Sequence, residues 1–252
     1  HPKLNDLAKP RQGLATTNND LFLKLWYEVS LKKTEYNCDS REETRNSNKK
    51  WYPINKGGSF RRWYGNNNYV VNYENDGESI CSYIDNTPFV KVKSNGRVIN
   101  RDLYFKEGIT WSSLSSDNLS MRYVPKGFLF ETKGSMCFAS NDIIYKLLSL
   151  CNTKTVQQIL KILSPTLDYH EGPIGNIPVF IQNRFINDSL ANKTVVLSKS
   201  DWDSYETSWD FQVLPILQPA YHTPSLSSAY QSLRTHWQSM TDEMLRLEEE
   251  NN

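Results

Sequence analysis

The chain has 252 residues, 38% of them hydrophobic, a net charge of +1 and a mean hydropathy of -0.62. That length allows one large domain or two modest ones with a proper core, and no run approaches the roughly 18 apolar residues of a membrane helix. Residues 1–13 lack the apolar stretch of a signal peptide, so the three N-x-S/T sequons at Asn118, Asn187 and Asn192 are read as chance.

Residues 1–17 read as an extended entry segment with Pro2, Pro10 and Gly13. Asn18, Asn19 and Asp20 offer an N-cap for a short helix to about Ser30, with Leu21, Leu25, Trp26 and Val29 on one face. Residues 31–50, charged and rich in Asn, Ser and Thr around Arg41, Glu42, Glu43, Thr44 and Arg45, read as a long surface loop. From 69 to 138 the signals are mostly β, with candidate strands at 69–73, 89–93, 103–105, 109–111, 121–124 and 128–132 and a turn at Asn75, Asp76 and Gly77. Helical spacing takes over at Ser140: Ile144, Leu147, Leu148 and Cys151 share a face, then Val156, Ile159, Leu160 and Leu163 after a break at Asn152 and Thr153. Pro165 ends this pair, and an apolar strand is expected at 174–181.

The C-terminal segment has the clearest period. Thr223 suits a cap and Pro224 a first helical position. Leu226, Tyr230, Leu233, Trp237, Met240, Met244 and Leu247 follow at alternating spacings of 4 and 3. This 3.5-residue repeat makes a narrow seam that fits another long helix better than a broad core, and its partner is expected outside this chain.

The chemistry-bearing stretch lies at 49–76. Lys49, Lys50, Lys56, Arg61 and Arg62 occur there with no acid among them, interleaved with Trp51, Tyr52, Trp63 and Tyr64 and broken by Gly57 and Gly58. Cations, rings and amides on a loop beside a strand suit phosphate gripping and base contact; a solvated basic loop over an aromatic core is the competing reading. An acidic end, Glu248 to Glu250, contrasts with it. Cys38, Cys81, Cys137 and Cys151 have no CxxC or Cys/His spacing, as for reduced thiols in the cytosol. His1, His170, His222 and His236 are isolated, and no phosphate-binding glycine loop or GxSxG elbow occurs. Asp117 with Glu131 and Lys133 has the residue types of a magnesium-dependent nuclease, but such triplets are common, and Glu131 and Lys133 on the solvent face of a strand is the preferred account.

Several blocks taken together resemble a known family. Arg11-Gln12-Gly13-Leu14-Ala15-Thr16 and Phe22-Leu23-Lys24-Leu25-Trp26-Tyr27-Glu28-Val29 are similar to the junction between catalytic and recognition parts in the adenine-specific DNA methyltransferases of BREX phage-defence systems, the PglX family. Lys50-Trp51-Tyr52-Pro53, Arg62-Trp63-Tyr64-Gly65-Asn66-Asn67, Val70-Val71-Asn72-Tyr73-Glu74-Asn75-Asp76-Gly77, Tyr104-Phe105-Lys106-Glu107-Gly108-Ile109-Thr110-Trp111-Ser112 and Ser208-Trp209-Asp210-Phe211 resemble its recognition region. The helix pair running into Ile177 and Pro178 is similar, more distantly, to recognition domains of type I restriction specificity subunits. Thr17 stands where the junction usually has Gly, so a positive φ there would require a reshaped loop.

The resemblance implies a sequence-specific module for double-stranded DNA. The fold expected is mixed α/β: a twisted, mostly antiparallel sheet with packed helices and a C-terminal coiled-coil-like helix. The expected organisation is an entry segment (1–17) from a catalytic domain, a target recognition domain (18–222) and a heptad-patterned helix (223–252); the start at His1 rather than Met fits a piece of something longer. Such methyltransferases bind S-adenosylmethionine through a glycine-containing loop and grip a flipped adenine with Asn-Pro-Pro-Tyr. Neither occurs in these residues, so the resemblance implies no catalytic residue, metal or cofactor here, with S-adenosylmethionine held by a catalytic domain in cis, in the bacterial cytoplasm. Lys49, Lys50, Lys56, Arg61 and Arg62 are the phosphate candidates, with Arg61 and Arg62 suited to a guanine edge and Asn66, Asn67 and Asn68 to adenine. Ser115, Ser116 and Arg122 form a second group. Blocks holding Trp63, Tyr64 and Gly65 recur across the family and read as scaffold, leaving base specificity to stretches such as 84–101. The alternatives are a protein-interaction module, whose seam docks another defence subunit or whose basic face takes a phage DNA mimic, and the nuclease.

Overall fold

The computed structural model describes residues 2–115, 118–166, 168–179 and 188–252. Eight strands are present among them: β1 (Lys9–Arg11), β2 (Leu23–Leu25), β3 (Trp51–Asn55), β4 (Tyr69–Asn72), β5 (Gly108–Trp111), β6 (Met121–Val124), β7 (Leu129–Phe130) and β8 (Met136–Phe138). The mixed α/β class and mostly antiparallel pairing match expectation, but the strands divide into two four-stranded sheets. One runs β1-β8-β5-β6 and the other β2-β4-β3-β7, with β3 and β7 the parallel pair.

In the β1-β8-β5-β6 sheet the inner strands β5 and β8 are buried on both faces. In β8, Cys137 joins a core with Ile109, Trp111, Met121 and the helices Asn141–Cys151 and Lys154–Leu163. Its neighbours Met136 and Phe138 join the second core, with Tyr52, Ile54, Val71 and Ile80. A strand buried on both faces reads as a continuous apolar run rather than an alternating one, which is why Met136–Phe138 is not visible as a separate strand.

The helix pair forms as expected, with the Thr153 hydroxyl capping the second helix at the Val156 N–H. Elsewhere tertiary pairing overrides local signals. Asn18 does cap a helix, accepting from the Leu21 N–H, but that helix is only Asn19–Phe22, because Leu23–Leu25 is drawn into pairing with β4. Residues 31–50 contain a helix, Arg41–Asn46, capped by Ser40. Asn75, Asp76 and Gly77 take φ of 49°, 59° and 76°, so the turn is left-handed as its residues favour. It leads into a helix ending at Asn86 that the sequence reading missed.

No strand forms at 89–93, where Phe89 is 81% exposed and Lys93 and Ser94 bond back onto Asp85, returning the chain to the helix it has just left. Residues 103–105 are broken by Phe105 at φ 66°. The strand expected at 174–181 is not formed through 179: Ile174 lies in the helix Glu171–Gly175, and only a single bridge joins Pro178 to Lys3. Residues 180 and 181 lie outside the described residues.

The N-terminal residues are woven into this body, β1 pairing with β8 and Leu4 fully buried. The C-terminal helix, Leu226–Asn251, is capped by Ser225 rather than Thr223, with Pro224 before the cap. Its seam is covered in part by the helix Asp188–Trp202 and the turns Pro215–Leu217 and Pro219–Tyr221. Leu233 and Leu247 are buried, while Leu226, Tyr230 and Trp237 remain exposed.

Candidate nucleic-acid interface

After β3 the chain enters a loop whose conformation its glycines impose. Gly57 and Gly58 have φ of 85° and 141°, and a Cβ on either would stand 2.8 Å from the Lys133 carbonyl or the Asn66 amide. Trp63, Gly65 and Asn66 also have positive φ. A buried tryptophan at φ 70° is unfavourable, and such backbone persists only where its surroundings over-determine it. Here the Trp63 amide donates to the Met121 carbonyl and its indole N–H donates to Glu248 at 2.8 Å.

The two arginines of this loop are tied to the C-terminal third of the chain. Arg61 pairs with Asp201 at 2.6 Å, donates to the Tyr64 carbonyl and lies 5.0 Å from the centre of the Trp202 ring. Arg62 pairs with Glu248 at 3.1 Å and lies over Phe60. The acidic end therefore meets the basic stretch directly. Opposite charge was the signal available for that contact, but the separation along the chain left the pairing unspecified.

The lysines sit differently. Lys49 donates to the carbonyls of Lys32 and Thr34, Lys50 lies 5.5 Å from the Trp51 ring centre, and Lys56 lies 4.6 Å from that of Tyr69. All three are half-buried, and none forms a salt bridge among the described residues, although Lys56 acts electrostatically on the Glu131 carboxyl. Asn66 and Asn67 are buried, Asn66 donating to the Ser59 carbonyl, while Asn68 is half-buried and its carbonyl accepts from the Trp26 amide. Ser115 is half-buried; Ser116 and Asp117 lie outside the described residues.

Arg122, on β6 beneath the loop, is 1% exposed. It donates to the Arg61 carbonyl at 3.2 Å and to the Ser112 hydroxyl at 3.4 Å, while its Nε finds no partner among the described residues. Burial, with Arg61 nearby, pulls its pKa down to about 10. In this conformation it is interior, not an exposed base reader. The structure thus brings Lys56, Arg61, Arg62, Asn66 and Arg122 together around one loop, and leaves Lys49 and Lys50 at the far end of β3.

A second charged assembly was missed. Asp76, 6% exposed, accepts from Arg41 at 2.8 and 2.5 Å, Arg45 at 2.8 Å, Arg101 at 3.4 Å and the Tyr73 hydroxyl at 2.9 Å. Burial pushes its carboxyl up, but the hydrogen bonds from Arg41, Arg45 and Tyr73 outweigh that and hold it below the usual range. Arg41 and Arg45 stand one helical turn apart, the only local hint of convergence.

Glu131 is buried rather than on a solvent face, and burial raises its pKa. The Lys133 ammonium turns to Asp168 at 2.9 Å. A groove of about 750 Å³ lies between the loop, the helix Asp188–Trp202 and the C-terminal helix, lined by Phe60, Arg62, Leu197, Trp237, Met240 and Met244.

Comparison with known proteins gives this assembly a context. The chain is 36% identical over 241 residues to an adenine-specific methyltransferase, BrxX, of Escherichia coli O9:H4 (strain HS), covering 94% of this chain and 18% of that protein. It is 35% identical over 249 residues to the adenine-specific methyltransferase PglX of Lacticaseibacillus casei (strain Zhang), covering 96% of this chain and 20% of that protein. The chain is thus homologous to a part of these methyltransferases and spans about a fifth of their length. No protein-family model matches it.

Proposed function

We propose that this chain is the DNA target recognition module of an N6-adenine DNA methyltransferase of a BREX-like defence system, holding duplex DNA non-covalently while a catalytic domain in cis carries S-adenosylmethionine and methylates adenine. The observation that carries the reading is the similarity along 94–96% of the chain to a fifth of two adenine-specific methyltransferases. The absence of Asn-Pro-Pro-Tyr from its 252 residues supports a non-catalytic part. The cations at 49–62 supply the grip. Lys49, Lys50 and Lys56 form no ion pair with a carboxylate among the described residues, Lys56 lying within electrostatic reach of Glu131, and present ammonium groups to phosphates, while Arg61 and Arg62 reach DNA by exchanging Asp201 and Glu248 for phosphate oxygens.

The reading is tested by duplex binding across a salt series, since each phosphate neutralised steepens the log–log dependence by about 0.9. Replacing Lys49, Lys50 and Lys56 with Ala is expected to flatten that slope by roughly two to three units. Duplex binding that ignores salt and survives Arg61→Ala with Arg62→Ala would remove the assignment. A protein-interaction reading is favoured by one observation, the groove beside Trp237 and Leu245, which are 41% and 59% exposed; binding to a defence subunit with no affinity for duplex would support it instead.

A further inference from the structure

Arg122 poses a physical problem. A fully buried guanidinium normally has a carboxylate beside it, because removing an ion from water costs several kcal/mol even after relaxation. Arg122 has none among the described residues. Among the described residues its five N–H groups find two neutral oxygens, its Nε finds none, and the charge acting on it is another arginine, Arg61. Among the described residues no carboxylate balances this charge, and an anion held on the loop above it would offset the cost of burying it.

The loop above Arg122 shows where such a balance fits. The Gly58 carbonyl accepts from the Ser112 hydroxyl at 2.9 Å, the Ser59 carbonyl from the Asn66 side chain at 2.8 Å, and the Arg61 carbonyl from Arg122 at 3.2 Å. In a planar trans peptide the next residue's N–H points opposite to its carbonyl. Three carbonyls held inward therefore turn the N–H groups of Ser59, Phe60 and Arg62 outward. None of the three has an acceptor among the described residues, and Gly58, Ser59 and Phe60 are exposed. Outward amides on one short loop can make an anion-binding concavity, and here the buried Arg122 guanidinium holds the Arg61 carbonyl and the Ser112 hydroxyl that in turn holds the Gly58 carbonyl.

We propose that the Ser59, Phe60 and Arg62 amides cradle one backbone phosphate of duplex DNA, with Arg122 as the positioning residue that pins the loop and supplies charge from beneath it. This rests on the DNA-binding reading and sharpens it: the contact is made by main chain and is blind to sequence, so the loop sets register on the duplex while other residues read bases. The glycines have a matching role, since a side chain on Gly58 would strike Asn66 and release the Ser59 carbonyl it holds.

The test is an amide NMR titration of the unsubstituted chain with a mixed-sequence duplex, inorganic phosphate and poly-glutamate. The expected result is that duplex shifts the Ser59, Phe60 and Arg62 amides, and that inorganic phosphate shifts the same three more weakly. Arg122→Met is expected to flatten the salt slope for duplex by about 0.9, with Arg122→Lys retaining it; a purely structural arginine would lower the melting temperature without moving that slope. If Arg122→Met does not fold, the titration still decides. Duplex that shifts other amides but leaves these three in place overturns the cradle and leaves the DNA reading standing. Absence of any duplex-induced shift overturns both. Phosphate or poly-glutamate moving the three amides where duplex does not would overturn the DNA assignment of the loop.

Discussion

Replacing Asp76 with Asn removes one charge from the scaffold, together with one of its two hydrogen-bond acceptors. Asn tolerates the left-handed φ of 59° at this position and keeps the volume, but one of the two accepting oxygens becomes an NH2 that faces the donors of Arg41, Arg45, Arg101 and Tyr73. What disappears is the negative charge on which Arg41, Arg45 and Arg101 converge. Breaking a buried ion pair from one side costs about 3–5 kcal/mol. The Arg41 and Arg45 side chains are 32% and 50% exposed, so water rehydrates them and the expected cost falls to roughly 2–3 kcal/mol. For a chain of this size that lowers the melting temperature by about 5–10 °C. The sign with pH follows from the depressed carboxyl. Its contribution is fully present above the unfolded value of about 3.9 and is lost as pH falls through the lower folded value. Thermal melts of parent and variant should differ most at neutral pH and converge in acid. A variant within about 1 °C of the parent at pH 7, or a gap that widens below pH 4, would refute the reasoning.

Thr17 takes φ 61°, so the position adopts the left-handed backbone that Gly favours even with Thr in place, and the loop is not reshaped to avoid it. Thr17→Gly is expected to gain about 0.5–1 kcal/mol in denaturant unfolding, because relief of left-handed strain exceeds the added chain entropy; a loss of stability would contradict this. Glu248→Gln removes the charge shared by the Trp63 indole and Arg62 and should cost about 1–2 kcal/mol, with faster hydrogen exchange over the final turns of the C-terminal helix. Ser225→Ala should cost about 1 kcal/mol and speed exchange in that helix's first turn alone, since its hydroxyl caps the Ser228 amide.

What could be read in advance follows the range over which each signal acts. The helix pair at 141–163 and the strands at 109–111 and 121–124 announce themselves through periods that need no distant partner. Leu23–Leu25 and Met136–Phe138 do not, because a three-residue strand exists only when a partner recruits it. The two-sheet division is invisible for the same reason. The basic stretch was legible as a cluster, yet its internal roles were not. Arg61 and Arg62 look alike to Lys56 in sequence and differ only because Asp201 and Glu248, far along the chain, reach them. Arg122 sits in an ordinary alternating strand, and nothing local says that its face is the interior one. The heptad period marks a stripe that seeks a helix, and part of it is covered from within the chain by the helix Asp188–Trp202, a partner that no period along the sequence announces.

The central claim, sequence-selective recognition of duplex DNA, is tested most directly by selection from a random duplex library with this chain, followed by competition between the enriched duplex and its scrambled counterpart at about 150 mM salt. One enriched motif is expected, with a preference of roughly 10³-fold or more over the scrambled duplex. Enrichment of no motif, with both duplexes bound equally, would contradict it.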